Sequence, residues 1–272
     1  MAILSSRPIH SILNRTGPPF HHGLLEVAVR FDQQRCDHQE PSACAGLARA
    51  EESRNLQDVG GCGRMDTVIH ILLTHLTPRD ARARALECQY LAQRCATLTE
   101  GNTPAILLGD LNTLSPLDDA HYAAAKLEQT LAKDARLRTK FLRTADDSSV
   151  AAAGSTGQHA ARLDYRPMEV LLSAGMHDMS VKPVALQDSS AALHDRDGER
   201  ADRTADFHAT VGMTNVQDDS MHAAAMRLDY ILGNRAVRAA LREDSRPARA
   251  VRDEDTMEMS DHLPVLLRLF LR

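Results

Sequence analysis

Three short polar clusters stand against apolar runs in this chain: Thr74-His75-Leu76, Gly109-Asp110-Leu111-Asn112 and Ser260-Asp261-His262. A fourth carboxylate, Asp229, lies inside the apolar run Arg227-Leu228-Asp229-Tyr230-Ile231-Leu232. Carboxylates and imidazoles gathered at strand ends can activate a water and offset charge on a phosphate, so the set His75, Asp110, Asn112, Asp229, Asp261 and His262 points to hydrolysis. Hard carboxylate and amide oxygens suit Mg²⁺ or Mn²⁺, whereas zinc would favour His and Cys in tight spacing.

These residues need strands to hold them. Val68 to Leu73 and Ala105 to Leu108 are aliphatic runs that end at the first two clusters, and Leu263 to Leu269 is one that begins at the third. A third strand antiparallel to the others would bring all three clusters to one rim of a sheet. Leu24 to Val29 reads as the hairpin partner of Thr67 to Leu73, and the polar stretch 32–66 between them as an inserted loop. Glu26 reads as a solvent-facing strand position, His70 as a packed core residue, and the His21-His22 pair as a turn before a strand. Thr77-Pro78-Arg79-Asp80 predicts the start of a helix with Thr77 as its cap, and Cys88, Leu91, Ala92 and Cys95 its apolar stripe. Tyr122 to Phe141 reads as helical, Met168 to Ala174 as a helix closed by Gly175, 187–221 as a long polar insertion, and 235–255 as a solvated helix and loop.

The motifs THL, GDLN, RLDYIL and SDHLPV, in this order, resemble the TH, GDxN, xDY and SDHxPV motifs of the endonuclease/exonuclease/phosphatase superfamily, the DNase I-like Mg²⁺-dependent phosphodiesterases. The resemblance implies an α/β fold, a DNase I-like four-layer α/β/β/α sandwich. It also implies roles: Asp110 and Asn112 holding the attacking water and the phosphate with Asp110 as base, His75 and His262 on the phosphate oxygens, Asp229 orienting His262, and Asp261 contributing to the metal. Its substrates would be phosphoesters of nucleic acid, nucleotide or phospholipid headgroup. The family's upstream Asn and its metal-binding Glu have no clear counterpart in the 73 residues before Thr74, although Asn14 and Glu40 mimic their order. The expectation is therefore a fold incomplete at its N-terminus, with a catalytically impaired or truncated relative as the alternative to an active enzyme.

Composition fits one globular domain over 1–272, at 43% hydrophobic residues. With no Trp, five Phe and four Tyr, the core must rest on aliphatic residues and Ala. A net charge of −5 excludes global attraction to nucleic acid and leaves steering to local clusters. Five cysteines and no secretory apolar core in Met1 to His10 predict a reduced intracellular setting, the cytoplasm first and an organelle second. Cys88 and Cys95, about 10 Å apart along one helix, are too distant for a disulfide. Cys36, His38, Cys44 and Cys62 could be imagined as a zinc site, with zinc-dependent nucleic-acid binding as a further class of function, but their irregular spacing favours unpaired thiols. No run approaches the roughly 20 apolar residues of a membrane span. The earlier RLDY copy, at Asp164, is followed by Arg166 and Pro167, which break a strand, so Asp164 is read as a turn or cap and the second copy, at Asp229, as the site candidate.

Overall fold

A computed structural model describes residues 2–31, 67–143, 162–181, 208–212, 214, 224–241 and 245–270. The chain opens with β1 (Ile9–Gly17), β2 (Phe20–Phe31) and β3 (Thr67–Thr74), followed by the long helix α1 (Ala81–Glu100) and β4 (Ala105–Asp110). A 3₁₀ turn then leads to α2 (Asp119–Ala124), α3 (Leu127–Leu131), α4 (Ala135–Phe141) and the short β5 (Leu142–Arg143). Next come β6 (Arg162–Leu163), α5 (Arg166–Ser173), β7 (Met176–Asp178) and β8 (Asp229–Asn234). The chain closes with α6 (Arg235–Ala240), β9 (Arg246–Ala250), α7 (Glu254–Met259) and β10 (Val265–Arg268).

The fold is mixed α/β around a six-stranded sheet in the order β1-β2-β3-β4-β8-β7. β2 and β3 form the expected hairpin ladder, from Leu24 opposite Thr74 to Phe31 opposite Thr67. Among the described strands only β3 and β4 run parallel, joined by α1 as the crossover. Alternation sorts the strand side chains onto two faces. Leu24, Leu72, Leu107, Tyr230 and Leu232 pack against Cys88, Leu91 and Cys95 of α1 and Met168 and Leu171 of α5. Ile69, Ile106 and Ile231 turn the other way, toward Val237 of α6, Ala248 of β9 and Val265 of β10. Two apolar layers thus sandwich the sheet, helices on one side and a β9–β10 ribbon with a helix on the other. Among the described residues no helix is long and apolar enough to cross a membrane.

Several local expectations change. The third strand does not join the main sheet: β10 pairs with β9, and the SDH cluster reaches the rim from this second sheet. Helix α1 is capped by Asp80, whose carboxylate accepts the Ala83 N–H at 2.9 Å, and not by Thr77, because Pro78 and Arg79 still turn outside the helix. Tyr122 to Phe141 is divided among α2, α3 and α4, broken where Lys126 adopts a left-handed φ of 51° and again where Asp134 caps α4. The 235–255 segment contains β9 as well as helix, since Ala248 is buried against the sheet. Of the polar insertion, 208–212 is packed: Val211 is fully buried and bridges both Met226 and His262. The rest of 187–221 apart from Thr214, the 32–66 loop and the Cys36, His38, Cys44 and Cys62 set lie outside the described residues. Cys88 and Cys95 are buried free thiols on the α1 stripe, as their spacing implies. Gly175, at φ 83°, closes α5, and Asp164 makes the turn ahead of it by accepting the Arg166 N–H at 3.2 Å.

Candidate active site

The GDLN turn is built by four different demands at four successive residues. Gly109 takes φ 130° and lies so close to β3 that a Cβ would sit 1.9 Å from the Thr74 carbonyl oxygen. Asp110 ends β4 and stands opposite Asp229 in the ladder with β8. Leu111 is fully buried and donates its N–H to the Leu228 carbonyl at 2.8 Å. Asn112 takes a left-handed φ of 47°, which an Asn tolerates better than most side chains.

The Asp110 carboxylate is held from several sides. Its Oδ1 accepts the Asn112 backbone N–H at 2.8 Å, and its Oδ2 accepts the Asn112 amide at 3.0 Å. The same amide nitrogen donates to the Leu76 carbonyl at 2.9 Å, so both of its hydrogens are committed to acceptors. His75 Nε2 lies 3.3 Å from Asp110 Oδ2. Burial, with the Asp229 charge added, pushes the Asp110 carboxyl above its ordinary pKa against the opposing pull of His262, the Asn112 N–H and His75.

Across the ladder, Asp229 Oδ2 meets His262 Nδ1 at 2.8 Å. Burial alone would lower the His262 pKa, but the hydrogen bond and charge of Asp229, with Asp110 and Asp261 behind it, lift it to about 9. Asp261 follows Ser260, whose hydroxyl lies 3.4 Å from its Oδ1. The structure therefore gathers His75 from the end of β3, Asp110 and Asn112 from the end of β4, Asp229 from the start of β8, and Asp261 and His262 from the turn ahead of β10. Asn14 is exposed on β1, and Glu40 lies outside the described residues.

Several supporting residues escaped the sequence reading. His22 belongs to β2, not to a turn, and its ring stacks on His75 with centroids 4.3 Å apart at 21°. Arg227 is buried and forms ion pairs with Asp118 at 2.8 Å and Asp178 at 2.6 Å, which fixes the strand that carries Asp229. Thr210 accepts the backbone N–H groups of Leu228 and Asp229 at 3.0 and 3.2 Å. The repeated RLDY held a signal for Arg227, because only that copy has its arginine ahead of a buried strand. His22 and Thr210 sit in segments whose patterns carry no such mark.

Asp110, Asp229 and Asp261 offer hard oxygen donors of the kind Mg²⁺ takes. Among the described residues, however, no three His, Cys, Asp or Glu side chains are grouped closely enough to cage a metal ion. That donor set fits an ion held by one or two protein oxygens, its shell completed by water and substrate oxygens, the usual manner of Mg²⁺.

A model of the Endonuclease/Exonuclease/phosphatase family matches residues 1–262. Similar solved structures include an AP endonuclease from Archaeoglobus fulgidus, at 14% identity and TM-score 0.37 over 74% of this chain and 61% of that one. An endonuclease/exonuclease/phosphatase family protein from Leptotrichia buccalis matches at 12% identity and TM-score 0.42 over 97% and 63%. A mannosyl-6-phosphatase from Bacteroides thetaiotaomicron matches at 13% and 0.39 over 97% and 67%. The chain spans about three fifths of the length of the first of these structures. No curated protein matches it.

Proposed function

The chain belongs to the endonuclease/exonuclease/phosphatase family, and from that membership we propose that it hydrolyses phosphoester bonds, phosphodiesters first, with the help of Mg²⁺ or Mn²⁺. The observation that carries this reading is the facing of Asp110 and Asp229 across one ladder rung, each with its own imidazole. One acid is left to take a proton while the other keeps a histidine charged.

Asp110 is the base. Its raised pKa brings it toward the proton affinity a base needs near neutral pH, and Asn112 orients the carboxylate by hydrogen-bonding both of its oxygens. A water held by Asp110 attacks phosphorus, the new P–O bond forms as the ester P–O bond breaks, and the water's proton passes to Asp110. The leaving alkoxide takes its proton from the medium. His262, cationic because Asp229 binds its Nδ1, faces the phosphate oxygens as they gain negative charge, and His75 takes a second non-bridging oxygen. Asn112 acts through Asp110, since its amide hydrogens are already spent. Asp261 is the protein donor to the divalent ion, which supplies further positive charge to the phosphate when bound.

The test is hydrolysis of bis(p-nitrophenyl) phosphate with Mg²⁺ or Mn²⁺ and after EDTA. The unaltered chain is expected to turn over with metal and stop with EDTA, and His262→Ala to lose about 100-fold in kcat, the usual weight of one group that stabilises transition-state charge. A His262→Ala protein within a few-fold of the parent would remove His262 from the mechanism. No turnover with either cation would instead support the alternative, a relative that keeps the fold without the activity.

A further inference from the structure

The pair formed by Asp229 and His262 is assembled from two different sheets. Asp229 opens β8 in the six-stranded sheet, whereas His262 lies ahead of β10 in the β9–β10 ribbon, and among the described residues no ladder joins β8 to β10. The 2.8 Å contact between Asp229 Oδ2 and His262 Nδ1 therefore needs another element to hold the two backbones in register. A short strap, residues 209–211, lies between them. Val211 forms isolated antiparallel bridges to Met226 on one side and to His262 on the other. Arg252, just after β9, donates through Nη2 to the Ala209 carbonyl at 3.3 Å and ties the strap to the ribbon.

Thr210, at the centre of the strap and 1% exposed, bonds both carriers of the pair. Its backbone N–H donates to the Met226 carbonyl at 2.8 Å, and its carbonyl accepts the Leu263 N–H at 2.8 Å, one residue after His262. Its Oγ1 accepts the N–H of Leu228 at 3.0 Å and that of Asp229 at 3.2 Å. Two successive N–H groups converge on one acceptor where a backbone turns, so this hydroxyl sets the bend from which Asp229 enters β8. The Leu228 carbonyl accepts the Leu111 N–H at 2.8 Å, which carries the same constraint into the GDLN turn beside Asp110. Hydrogen bonds thus run in a closed circuit: from the Asp229 amide to the Thr210 hydroxyl, through the Thr210 carbonyl to Leu263, and through the His262 ring back to the Asp229 carboxylate. Both lone pairs of Oγ1 are taken by backbone donors, and the branched Cβ leaves that oxygen few χ1 settings. A valine would keep the shape and leave two buried N–H groups without their acceptor.

We propose that Thr210 is a positioning residue whose hydroxyl oxygen and carbonyl together set the Asp229 carboxylate against the His262 ring, so that the imidazole faces the phosphate. It acts only through Asp229 and His262, and that role rests on the phosphoester reading of the site.

Two readouts separate this proposal from that reading. In hydrolysis of bis(p-nitrophenyl) phosphate, Thr210→Val is expected to lower kcat by about tenfold or more with KM within about threefold, because a catalytic group displaced by about 1 Å can cost about 10²-fold. In a His262→Ala background the same substitution should cost less than about threefold, since the two residues act through one contact. Thr210→Ser, which keeps the oxygen, should restore the rate. A kcat for Thr210→Val within a few-fold of the parent, or an equal loss with and without His262, overturns the proposal. The second readout needs no turnover. In the proton NMR spectrum the hydrogen-bonded Nδ1–H of His262 is expected at low field, identified by its loss in His262→Ala. The Nδ1–H of His70, held by Glu26 at 2.8 Å, gives a reference signal for intact folding. Thr210→Val should remove the His262 signal and keep that of His70, and Thr210→Ser should keep both. A His262 signal unchanged in Thr210→Val overturns the proposal. Its loss in Thr210→Ser, with the His70 signal retained, overturns it even if Thr210→Val fails to fold. Loss of the His262 signal in Thr210→Val with no turnover by the parent would sink the enzymatic reading and leave Thr210 as the residue that sets the pair.

Discussion

Two carboxylate–imidazole pairs in this molecule share a contact distance and differ in everything around it. Glu26 and His70 meet at 2.8 Å on the helix-facing side of the sheet, and Asp229 and His262 meet at 2.8 Å at its rim. Arg94 of α1 closes the first pair with two hydrogen bonds to Glu26, at 3.0 and 2.5 Å. Burial pushes the Glu26 pKa up, yet Arg94 and His70 more than offset it and hold the carboxyl below its ordinary range. Among the described residues, no guanidinium pairs with the Asp229 carboxylate of the second pair. Its neighbour is another carboxylate, Asp110, whose pKa moves upward. The geometry of an acid–histidine pair therefore says little about its task, and the charge of the third group decides between a strut and a site.

The largest effect that would break this comparison is at the rim. Asp110→Ala should cost about 10³-fold or more in kcat/KM for a diester, within the range of a lost general base, while thermal melting stays unchanged or rises because a desolvated acid has been removed. A variant that melts early and keeps its rate would make Asp110 structural. Next is the backbone beneath it: Gly109→Ala places a Cβ 1.9 Å from the Thr74 carbonyl at φ 130°, and should lower stability by about 3 kcal/mol in a denaturant titration.

Glu26→Gln should do the opposite of Asp110→Ala, costing about 1 kcal/mol of stability with kcat intact. Because the folded-state pKa of Glu26 is depressed, its contribution is fully present above the unfolded value of about 4.3 and fades as pH falls toward the folded one. Parent and variant stabilities should therefore converge on acidification below about pH 4, and a constant gap down to pH 2 would deny the depressed pKa. The smallest effect belongs to His22→Ala, which removes the ring stacked on His75. A rise in KM of about threefold is expected from one lost ring contact, and an unchanged KM would place His22 outside the substrate's reach.

Legibility followed the kind of signal each residue leaves. His75, Asp110, Asn112, Asp229, Asp261 and His262 could be read because each abuts an aliphatic run in a motif of fixed order. The β2–β3 hairpin and the α1 stripe were legible from period alone. Glu26 was misread: it occupies a position that alternation assigns to a sheet face, and nothing local shows that Arg94, 68 residues on, covers it. The separate β9–β10 ribbon was missed because strand patterns fix pairing potential and not the choice of partner. The pairing of Val211 with His262 likewise joins segments whose polarity suggests no packing at all.

Gly109 has a further meaning for lineages of this chain. Adjacent letters of the GDLN motif answer to separate pressures, a missing side chain that lets two parallel strands touch and a carboxylate that, in the proposed mechanism, accepts a proton. A descendant that abandoned catalysis would be free to change Asp110 and would still be bound to keep its glycine. Retention of Gly109 is thus a record of architecture, and the fate of its neighbour is the record of chemistry.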